Sequence, residues 1–121
     1  GWPMKWWTTL GLDLVWLLVF AVIGRLSHGE SADPVGIIDT AWPFVVALVG
    51  MTVAVIGFKW APENLGPGTL IWVGTVVFGM LIRVNHGATA QVAFIIVASV
   101  VIGLGLLGWR LGNRLRNHPR S

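Results

Sequence analysis

The sequence predicts an all-α integral membrane protein with four transmembrane helices, arranged as two similar helical hairpins. Of its 121 residues, 55% are hydrophobic and only 11% are charged, whereas soluble domains usually carry about a quarter charged residues. The apolar residues fall into four runs, each near the roughly 20 residues that cross a bilayer as a helix. Lysine and arginine gather on one side of these runs, which is typical of a membrane protein with a fixed orientation.

The four apolar runs set the approximate bounds of the helices. They predict helices at about 6–26, 40–59, 65–84 and 88–112, in a single transmembrane domain that spans 1–121. Thr40 and Thr89 are the N-cap candidates of the second and fourth helices, because a threonine hydroxyl can accept a hydrogen bond from a free N–H of the first turn. Pro43 then falls in the first turn of the second helix, where its missing N–H costs nothing. If that helix starts earlier, near Ile37, the same proline is expected to kink it.

The distribution of basic residues predicts the orientation of the chain. Those on one side of the predicted membrane domain are Lys5, Lys59, Arg110, Arg114, Arg116 and Arg120. The other side has Arg25 and Arg83, beside acidic residues. Because cytoplasmic segments carry the excess of lysine and arginine, we expect a multi-pass protein of the cell membrane with both termini in the cytoplasm. An interfacial aromatic belt is expected near the same face, formed by Trp6, Trp7, Trp60 and Trp109.

Two similar five-residue stretches suggest that the hairpins are copies of one unit. The sequence RLSHG occupies 25–29 and RVNHG occupies 83–87, each at the end of an apolar run. Similar segments follow, TAWPF at 40–44 and TAQVAF at 89–94. Because each unit contains two helices, both units enter the membrane from the same side. This predicts a parallel repeat, related by an axis along the membrane normal.

Small residues at helical spacing predict where helices approach each other closely. Lipid gives helices no hydrophobic reason to associate, so small side chains serve to bring backbones into van der Waals contact. The stripes lie on the second and fourth helices and consist of Ala47, Gly50, Ala54, Gly57, Gly105, Gly108 and Gly112. We expect them to pack within the chain, with a dimer interface as the alternative.

Arginine and histidine recur at the ends of the first and third helices, on the non-cytoplasmic side. Arg25 and Arg83 oppose the charge rule, and a guanidinium offers a planar fork suited to carboxylate or phosphate; snorkelling to the interface is the alternative. Asp39 is the internal candidate partner of either arginine, and an external anion or a lipid phosphate would serve equally well. His28 and His86 are expected either to cap helix-end carbonyls or to titrate as a pair. The candidate polar site comprises Arg25, His28, Glu30, Asp39, Trp42, Arg83, His86 and Gln91.

Asp13 is the acidic residue inside the first apolar run. An ionisable residue at such a depth usually faces the interior of the bundle, which makes Asp13 a candidate functional intramembrane acid. A position shallow enough to reach water, or a pair with Lys5 or Lys59, is the alternative. Arg25 lies about 18 Å further along a helix, so these two side chains cannot pair directly. Because Asp13 interrupts the run and no small-residue cleavage site follows promptly, we interpret the segment as a helix and not as a cleaved signal peptide.

Several classes of chemistry lack the residues that they need. With no cysteine in the chain, disulfides, thiol catalysis and cysteine metal sites are excluded. A two-histidine metal site would need further ligands such as Glu30 or Asp39, so we expect no metal and no cofactor. The basic tail RLGNRLRNHPR is expected to meet anionic lipid headgroups and not nucleic acid, because no base-stacking aromatic residues accompany it. No paired carboxylates or Ser/His/Asp set shares one face, so we do not expect an enzyme.

Four stretches of the sequence carry a family resemblance. FAVIGRLSHGE, TAWPFVVALVG, GMLIRVNHG and VASVVIGLGLLGWR resemble the small four-helix bacterial and archaeal membrane proteins that are filed as a domain of unknown function. The resemblance extends from about Asp13 to Arg110 and is carried best by IGRLSHGE and TAWPF. It implies a four-span membrane fold, and it implies no reaction, ligand or catalytic residue. Motif residues that match the family pattern are Arg25, His28, Gly29, Glu30, Thr40, Trp42, Pro43 and Arg83.

These features lead to two expectations for function. The first is transport or permeation of an ion or small solute, anionic if the arginines attract it. An oligomer is expected to carry it out, because four closely packed helices leave little room for an internal pore. The second is a non-enzymatic accessory or assembly subunit that binds a larger membrane protein or a lipid headgroup. The expected partners are the lipid bilayer and either further copies of the chain or a larger membrane protein.

Overall fold

Four long helices make up most of the chain. The computed structural model describes residues 4–117, and in this range the helices are α1 (Trp6–Ser27), α2 (Pro34–Gly57), α3 (Leu65–Asn85) and α4 (Val92–Asn117). Each of the four is long and apolar enough to cross a membrane. The predicted all-helical fold with four membrane-length helices is therefore confirmed, and the protein is a multi-pass membrane protein.

The helices form a ring in which each helix packs against two neighbours. Contacts join α1 with α2, α2 with α3, α3 with α4, and α4 with α1. The connections at 28–33, 58–64 and 86–91 are too short to run the length of a helix, so consecutive helices are antiparallel. One end of the bundle therefore holds the 28–33 and 86–91 turns. The opposite end holds the 58–64 turn, the start of α1 and the end of α4.

The middle of the bundle is filled with apolar side chains. Its largest fully buried apolar members are Leu17, Phe20, Phe44, Leu48, Ile71, Ile102 and Leu106. Large apolar side chains also cover the outside, among them Val15, Val53, Val77 and Leu104. A soluble bundle would expose polar side chains there, whereas acyl chains solvate such a surface well. The exposed apolar belt therefore agrees with a membrane location.

α2 begins earlier than the sequence predicts. It starts at Pro34 and not near Thr40, and Asp33 caps it by accepting a hydrogen bond from the amide of Gly36 at 3.4 Å. Proline is favoured at the first helical position because its N–H would be free there in any case. The prediction that Thr40 is the N-cap is wrong: Thr40 is buried within the helix, and its hydroxyl accepts a hydrogen bond from Arg25 at 3.4 Å.

The early start of α2 places Pro43 inside the helix. A proline has no N–H to donate to the carbonyl four residues before it, which here belongs to Asp39. The backbone carbonyl of Asp39 therefore lacks its helical hydrogen bond. Pro43 itself is buried against the bundle.

α4 is shifted in the opposite direction along the sequence. It begins at Val92 and continues to Asn117, whereas the sequence predicts 88–112. Thr89 thus lies before the helix, in the 86–91 turn, and is not its N-cap. The added turns are polar and basic, and they remain helical because a helix satisfies its own backbone hydrogen bonds on either side of the membrane surface. Arg120 lies outside the described residues.

The small-residue stripes do not pack as predicted. Their exposed members are Gly50, Ala54, Gly57, Gly108 and Gly112. Ala47 of α2 is buried and Gly105 of α4 is half-buried, so each stripe contributes one residue to the interior. The prediction of intrachain packing is therefore wrong for most of both stripes. Helical spacing shows that residues share a face, but it does not show which face is turned inwards.

Close approach occurs where tryptophans pack against glycines of α4. Trp16 of α1 lies against Gly105, where a Cβ would overlap the indole, and its Nε1 donates to a backbone carbonyl of α4 at 2.7 Å. Trp72 of α3 lies against Gly103, and its Nε1 donates to another α4 carbonyl at 2.9 Å. Because glycine leaves room for the rings, α4 is held from both sides by an indole and a hydrogen bond.

The two Arg-x-x-His-Gly stretches form similar turns. Gly29 and Gly87 have φ values of 72° and 87°, the left-handed conformation that commonly ends a helix. In each turn the arginine Nε donates to a backbone carbonyl six residues further on, at 2.6 Å from Arg25 and 2.9 Å from Arg83. This likeness concerns two helix ends. The parallel duplication of whole hairpins stays a prediction.

Gly105→Ala tests the contact between α1 and α4. The added methyl overlaps the Trp16 indole, so we expect the free energy of unfolding in detergent to fall by about 1–3 kcal/mol. Gly108→Ala is the matched control, since it adds the same methyl to the same helix with nothing within 4 Å. Equal unfolding free energies for the two variants would contradict the contact.

Candidate functional site

Polar side chains collect at the two ends of the described bundle. The end with the 28–33 and 86–91 turns contains a polar cavity, and we call it the pocket end. The opposite end contains a buried aspartate–arginine pair, and we call it the ion-pair end. The apolar core separates the two.

Asp13 of α1 and Arg110 of α4 form the buried ion pair. Nη2 of Arg110 lies 2.7 Å from Oδ2 of Asp13, and Nη1 lies 2.9 Å from Oδ1. The fork of the guanidinium thus meets both carboxylate oxygens, the strongest geometry for such a pair. Both side chains are completely buried, at 0% exposure. The pair lies about two helical turns from the end of the bundle, roughly 10 Å at the rise of an α-helix.

Other groups satisfy the remaining atoms of the pair. Nε1 of Trp109 donates to Oδ1 of Asp13 at 2.8 Å. Nε of Arg110 donates to the carbonyl of Pro62, and Nη1 also donates to the carbonyl of Leu106, both at 2.9 Å. Every guanidinium nitrogen and both carboxylate oxygens therefore have partners. A buried ion pair is tolerated only under this condition, because an unpaired charge in the interior costs several kcal/mol.

Asp13 faces the interior of the bundle as expected, but the alternative that it pairs with Lys5 or Lys59 is wrong, and Arg110 does not lie among the surface basic residues. A predicted helix end at 112 leaves Arg110 at the membrane surface, whereas in the structure α4 continues to 117 and Arg110 is completely buried. Gly68 of α3 makes the room, since a Cβ there would overlap the Arg110 side chain. Trp109, which the sequence assigns to the interfacial belt, donates to Asp13 and so takes part in this site.

The cavity at the pocket end has a volume of about 390 Å³, within the roughly 300–1,000 Å³ of small-molecule sites. Six residues of the predicted polar site line it, namely Arg25, His28, Glu30, Asp39, Arg83 and Gln91. The other lining residues are Gly24, Thr40, Ala88, Thr89 and Phe94. α1 to α4 and both adjacent turns thus contribute to one polar cavity.

Arg25 is held by groups of its own turn and of α2. Its Nη1 lies 3.1 Å from Oε2 of Glu30 and 3.4 Å from the Thr40 hydroxyl, and its Nη2 lies 3.8 Å from Oδ1 of Asp33. The guanidinium rests against Gly36 of α2, where a Cβ would overlap it. The side chain is only 15% exposed. Arg25 is therefore paired within the chain, and this pairing ties the 28–33 turn to α2.

Asp33 supports the same turn from outside the helices. The Ser31 hydroxyl, at 2.9 Å, and the Gly36 amide donate to its carboxylate and hold its pKa below the ordinary value of an aspartate. A carboxyl with a lowered pKa stabilises the folded state above the ordinary value. That stabilisation is lost as the pH falls through the lowered value. Near neutral pH Asp33 is thus a charged helix cap and a charged neighbour of Arg25.

Arg83 occupies the matching place at the end of α3 with different partners. Its Nε donates to the carbonyl of Thr89 at 2.9 Å, and its guanidinium lies over the Phe94 ring at 4.3 Å from the centroid. Within residues 4–117 it forms no ion pair. Asp39 and Glu30 are the charges that act on it across the cavity. A carbonyl and an aromatic face therefore fix its orientation, while no carboxylate is bound to it.

Trp42 and His86 are the predicted site residues that the structure places outside the cavity lining. Their rings meet edge to face with centroids 4.7 Å apart. Nδ1 of His86 lies 3.0 Å from the carbonyl of Ile82, so this histidine caps its own helix. His28 lines the cavity with its ring centroid 6.4 Å from that of Phe94. The two histidines thus have different surroundings.

Three phenylalanines lie beneath the cavity. Phe94 lines it, and its ring centroid is 6.1 Å from that of Phe20 and 6.3 Å from that of Phe44. Phe20 and Phe44 meet edge to face at 5.3 Å and are fully buried. The aromatic layer separates the polar cavity from the rest of the bundle.

Some polar groups of the interior have no partner. The buried hydroxyls of Thr9, Thr52 and Thr75 form no hydrogen bond within the described part of the chain.

Residues 4–117 also contain no group of three or more histidine, aspartate or glutamate side chains placed to hold a metal ion.

Comparison with known proteins gives one match. The family model of DUF3054, described as a protein of unknown function, matches residues 10–112. This range includes both the cavity and the ion pair, and the resemblance inferred from the sequence is confirmed. No curated protein and no solved structure matches the chain.

Removing one partner of the buried ion pair should be more harmful than removing both. Arg110→Leu leaves the Asp13 carboxylate buried without its cation, and we expect a loss of about 3–5 kcal/mol in the free energy of unfolding in detergent. The double variant, Asp13→Leu with Arg110→Leu, leaves no buried charge and should recover a large part of that loss. Additive losses in this double-mutant cycle would show that the two side chains do not act as a pair.

Proposed function

The chain belongs to DUF3054, a family of unknown function, and we propose that it transports a small polar solute or ion across the membrane. The observation that carries the proposal is the polar cavity of about 390 Å³, which lies among the ends of four membrane-length helices. Charged side chains at such a place are costly and usually mark a site for a ligand or a transport path. The proposed role is binding and movement of a solute without catalysis.

The arrangement along the bundle supports a transporter that is open at one end. The cavity is accessible at the pocket end and is closed below by Phe20, Phe44 and Phe94. The pair of Asp13 and Arg110 closes the opposite end. A site that is open to one side and blocked towards the other is what alternating access requires. The unpaired hydroxyls of the interior would supply polar contacts between the two ends.

The unpacked face of α2 supports action as an oligomer. Gly50, Ala54 and Gly57 are exposed, and small residues of this kind allow close contact between membrane helices. The filled core of a single chain offers no continuous polar path between the cavity and the ion pair, as far as the described residues extend. A path along an interface between copies would avoid this core.

The proposed orientation places the cavity on the outside of the cell membrane and both termini in the cytoplasm. Lys5, Lys59, Arg114 and Arg116 are exposed at the ion-pair end, beside Glu63 as the acidic residue. The pocket end combines Arg25 and Arg83 with Glu30, Asp33 and Asp39. The excess of positive charge at the ion-pair end persists without Arg110, and it favours that end for the cytoplasm.

Uptake into liposomes tests the transport proposal. The purified protein is reconstituted, and the entry of radiolabelled alanine, phosphate and chloride is measured separately. We expect uptake of at least one of these probes, and Arg25→Ala combined with Arg83→Ala should abolish it, because the substitutions remove both cations of the cavity.

Arg114→Ala is the control for this experiment. Arg114 is an exposed arginine at the ion-pair end and does not line the cavity, so its loss should leave uptake unchanged. Transport would be refuted by a parent protein that takes up none of the three probes, or by a double variant with parental uptake.

A second candidate function is that of an accessory subunit that binds a larger membrane protein. The specific observation in its favour is the same exposed small-residue face of α2. A partner helix that packs closely on this face needs the space that the missing side chains leave.

Co-purification in mild detergent tests the accessory role. A stoichiometric partner should co-purify with the parent protein. Gly50→Leu fills the exposed face of α2 and should release the partner, whereas Leu104→Ala on the exposed side of α4 should not. Purification of the parent chain without a stoichiometric protein would contradict this role.

A further inference from the structure

We propose that the polar cavity binds small zwitterions, molecules that carry an ammonium group and a carboxylate or phosphate group a few ångströms apart. The inference rests on the proposed function and narrows its solute to one chemical class. It depends on which charges of the cavity are paired within the chain and which are not.

Arg25 and Glu30 are already paired with each other and with other groups of the chain. Nη1 of Arg25 lies 3.1 Å from Oε2 of Glu30 and also donates to the Thr40 hydroxyl. Its Nε donates to the Ser31 carbonyl, and its Nη2 lies 3.8 Å from Oδ1 of Asp33. A ligand would have to break these contacts to use the Arg25 guanidinium. Arg25 and Glu30 therefore form a wall of the cavity and are not the groups that recognise charge.

Arg83, the second cation of the cavity, is available to bind an anion. Nε of Arg83 donates to the Thr89 carbonyl, and one face of its guanidinium lies over the Phe94 ring. Its two terminal nitrogens form no hydrogen bond or ion pair within residues 4–117. These nitrogens form the edge of the planar fork that binds a carboxylate or phosphate through two parallel hydrogen bonds. Because Thr89 and Phe94 hold the guanidinium in place, little side-chain freedom is lost when an anion binds.

An available anion lies in the same cavity. Asp39 lines the cavity, and its side chain forms no hydrogen bond or ion pair within the described residues. Its backbone carbonyl does not receive the usual helical hydrogen bond, because Pro43 has no N–H to donate to it. Asp39 thus offers carboxylate oxygens, and Gln91 contributes an exposed amide to the same lining. Oxygen acceptors of this kind suit an ammonium group, which carries three donors.

The combination of one free cation and one free anion selects against ligands of a single charge. A simple anion at Arg83 would be repelled by Asp39 and Glu30, and a simple cation at Asp39 would be repelled by Arg83. A zwitterion satisfies both free groups at once. The contacts therefore favour a zwitterion over the anion that the arginines alone would predict.

This chemistry has two sources at a membrane surface. One is a free solute, such as a neutral α-amino acid. The other is the phosphoethanolamine headgroup of a lipid. Both present an ammonium group close to an anionic group, so the cavity would treat them alike, and the experiment has to separate them.

Binding is measured on the purified full chain in an uncharged detergent by isothermal titration. The zwitterionic probes are alanine and O-phosphoethanolamine, and the single-charge probes are propionate, inorganic phosphate and ethanolamine. We expect at least one zwitterion to bind at least tenfold more tightly than every single-charge probe.

Two substitutions test the assigned roles in the same assay. Arg83→Gln should remove the preference for a zwitterion by weakening the anionic contact, so that ethanolamine binds as well as the zwitterion. Asp39→Asn should do the reverse and raise the relative affinity for propionate or phosphate. Arg114→Gln and Glu63→Gln at the ion-pair end are the matched controls and should keep the parental preference.

Added lipid distinguishes the sources. If phosphatidylethanolamine in the micelles suppresses binding of the soluble zwitterion while phosphatidylglycerol does not, the headgroup reaches the cavity. If neither lipid competes, the cavity takes free solutes.

The proposal is overturned if a single-charge probe binds as tightly as both zwitterions, if no zwitterion binds, or if Asp39→Asn keeps the parental preference. Because binding is measured without flux, these outcomes are separate from those of the liposome experiment. Zwitterion binding without uptake would refute transport alone, and uptake of chloride or phosphate without zwitterion binding would refute this inference alone.

Discussion

The buried pair of Asp13 and Arg110 is the constraint on which the rest of the bundle depends. Neither charge is tolerable in a membrane interior alone, so α1 and α4 are restricted to the register that brings the carboxylate and the guanidinium together. The pair also requires Gly68 on α3, which leaves space for the arginine, and the Pro62 carbonyl in the 58–64 turn. One ion pair thus fixes the relative positions of three helices and one connection.

The other contacts follow a common rule, in which a large side chain of one helix lies over a glycine of its neighbour. Arg25 lies over Gly36 in this way, as do the indoles of Trp16 and Trp72 over glycines of α4. In water, burial of apolar area would hold such helices together, but lipid removes most of that advantage. Hydrogen bonds and close packing then carry the association. This explains why the closely packed glycines lie opposite large side chains, arginine and tryptophan among them, while most members of the regular stripes remain on the outside.

The sequence predicted the four helices because their length and apolar character are local properties. Helix ends are harder to predict than helices. Asp33 caps α2 and Pro34 is its first residue, although the sequence of this segment is typical of a loop. The six cavity residues are predictable because polar and charged residues near the ends of apolar runs are conspicuous in such a chain. Arg110 is assigned to the surface from the sequence because it follows the last apolar residues of the chain, whereas in the structure its contacts with Asp13 and Gly68 bury it. Spacing alone does not show which face of a helix is turned inwards, which is why the predicted packing of the small-residue stripes is wrong for most of their members.

α4 links the two polar sites mechanically, because it contributes a residue to each end of the bundle. Phe94 near its start forms the floor of the cavity and supports Arg83, and Arg110 near its end is bound to Asp13. The two positions are about 24 Å apart along one uninterrupted helix. A tilt or a sliding motion of α4 that shifts the Phe94 ring therefore also pulls on the ion pair. The helix acts as a stiff lever, and the two ends of the bundle cannot rearrange independently of each other.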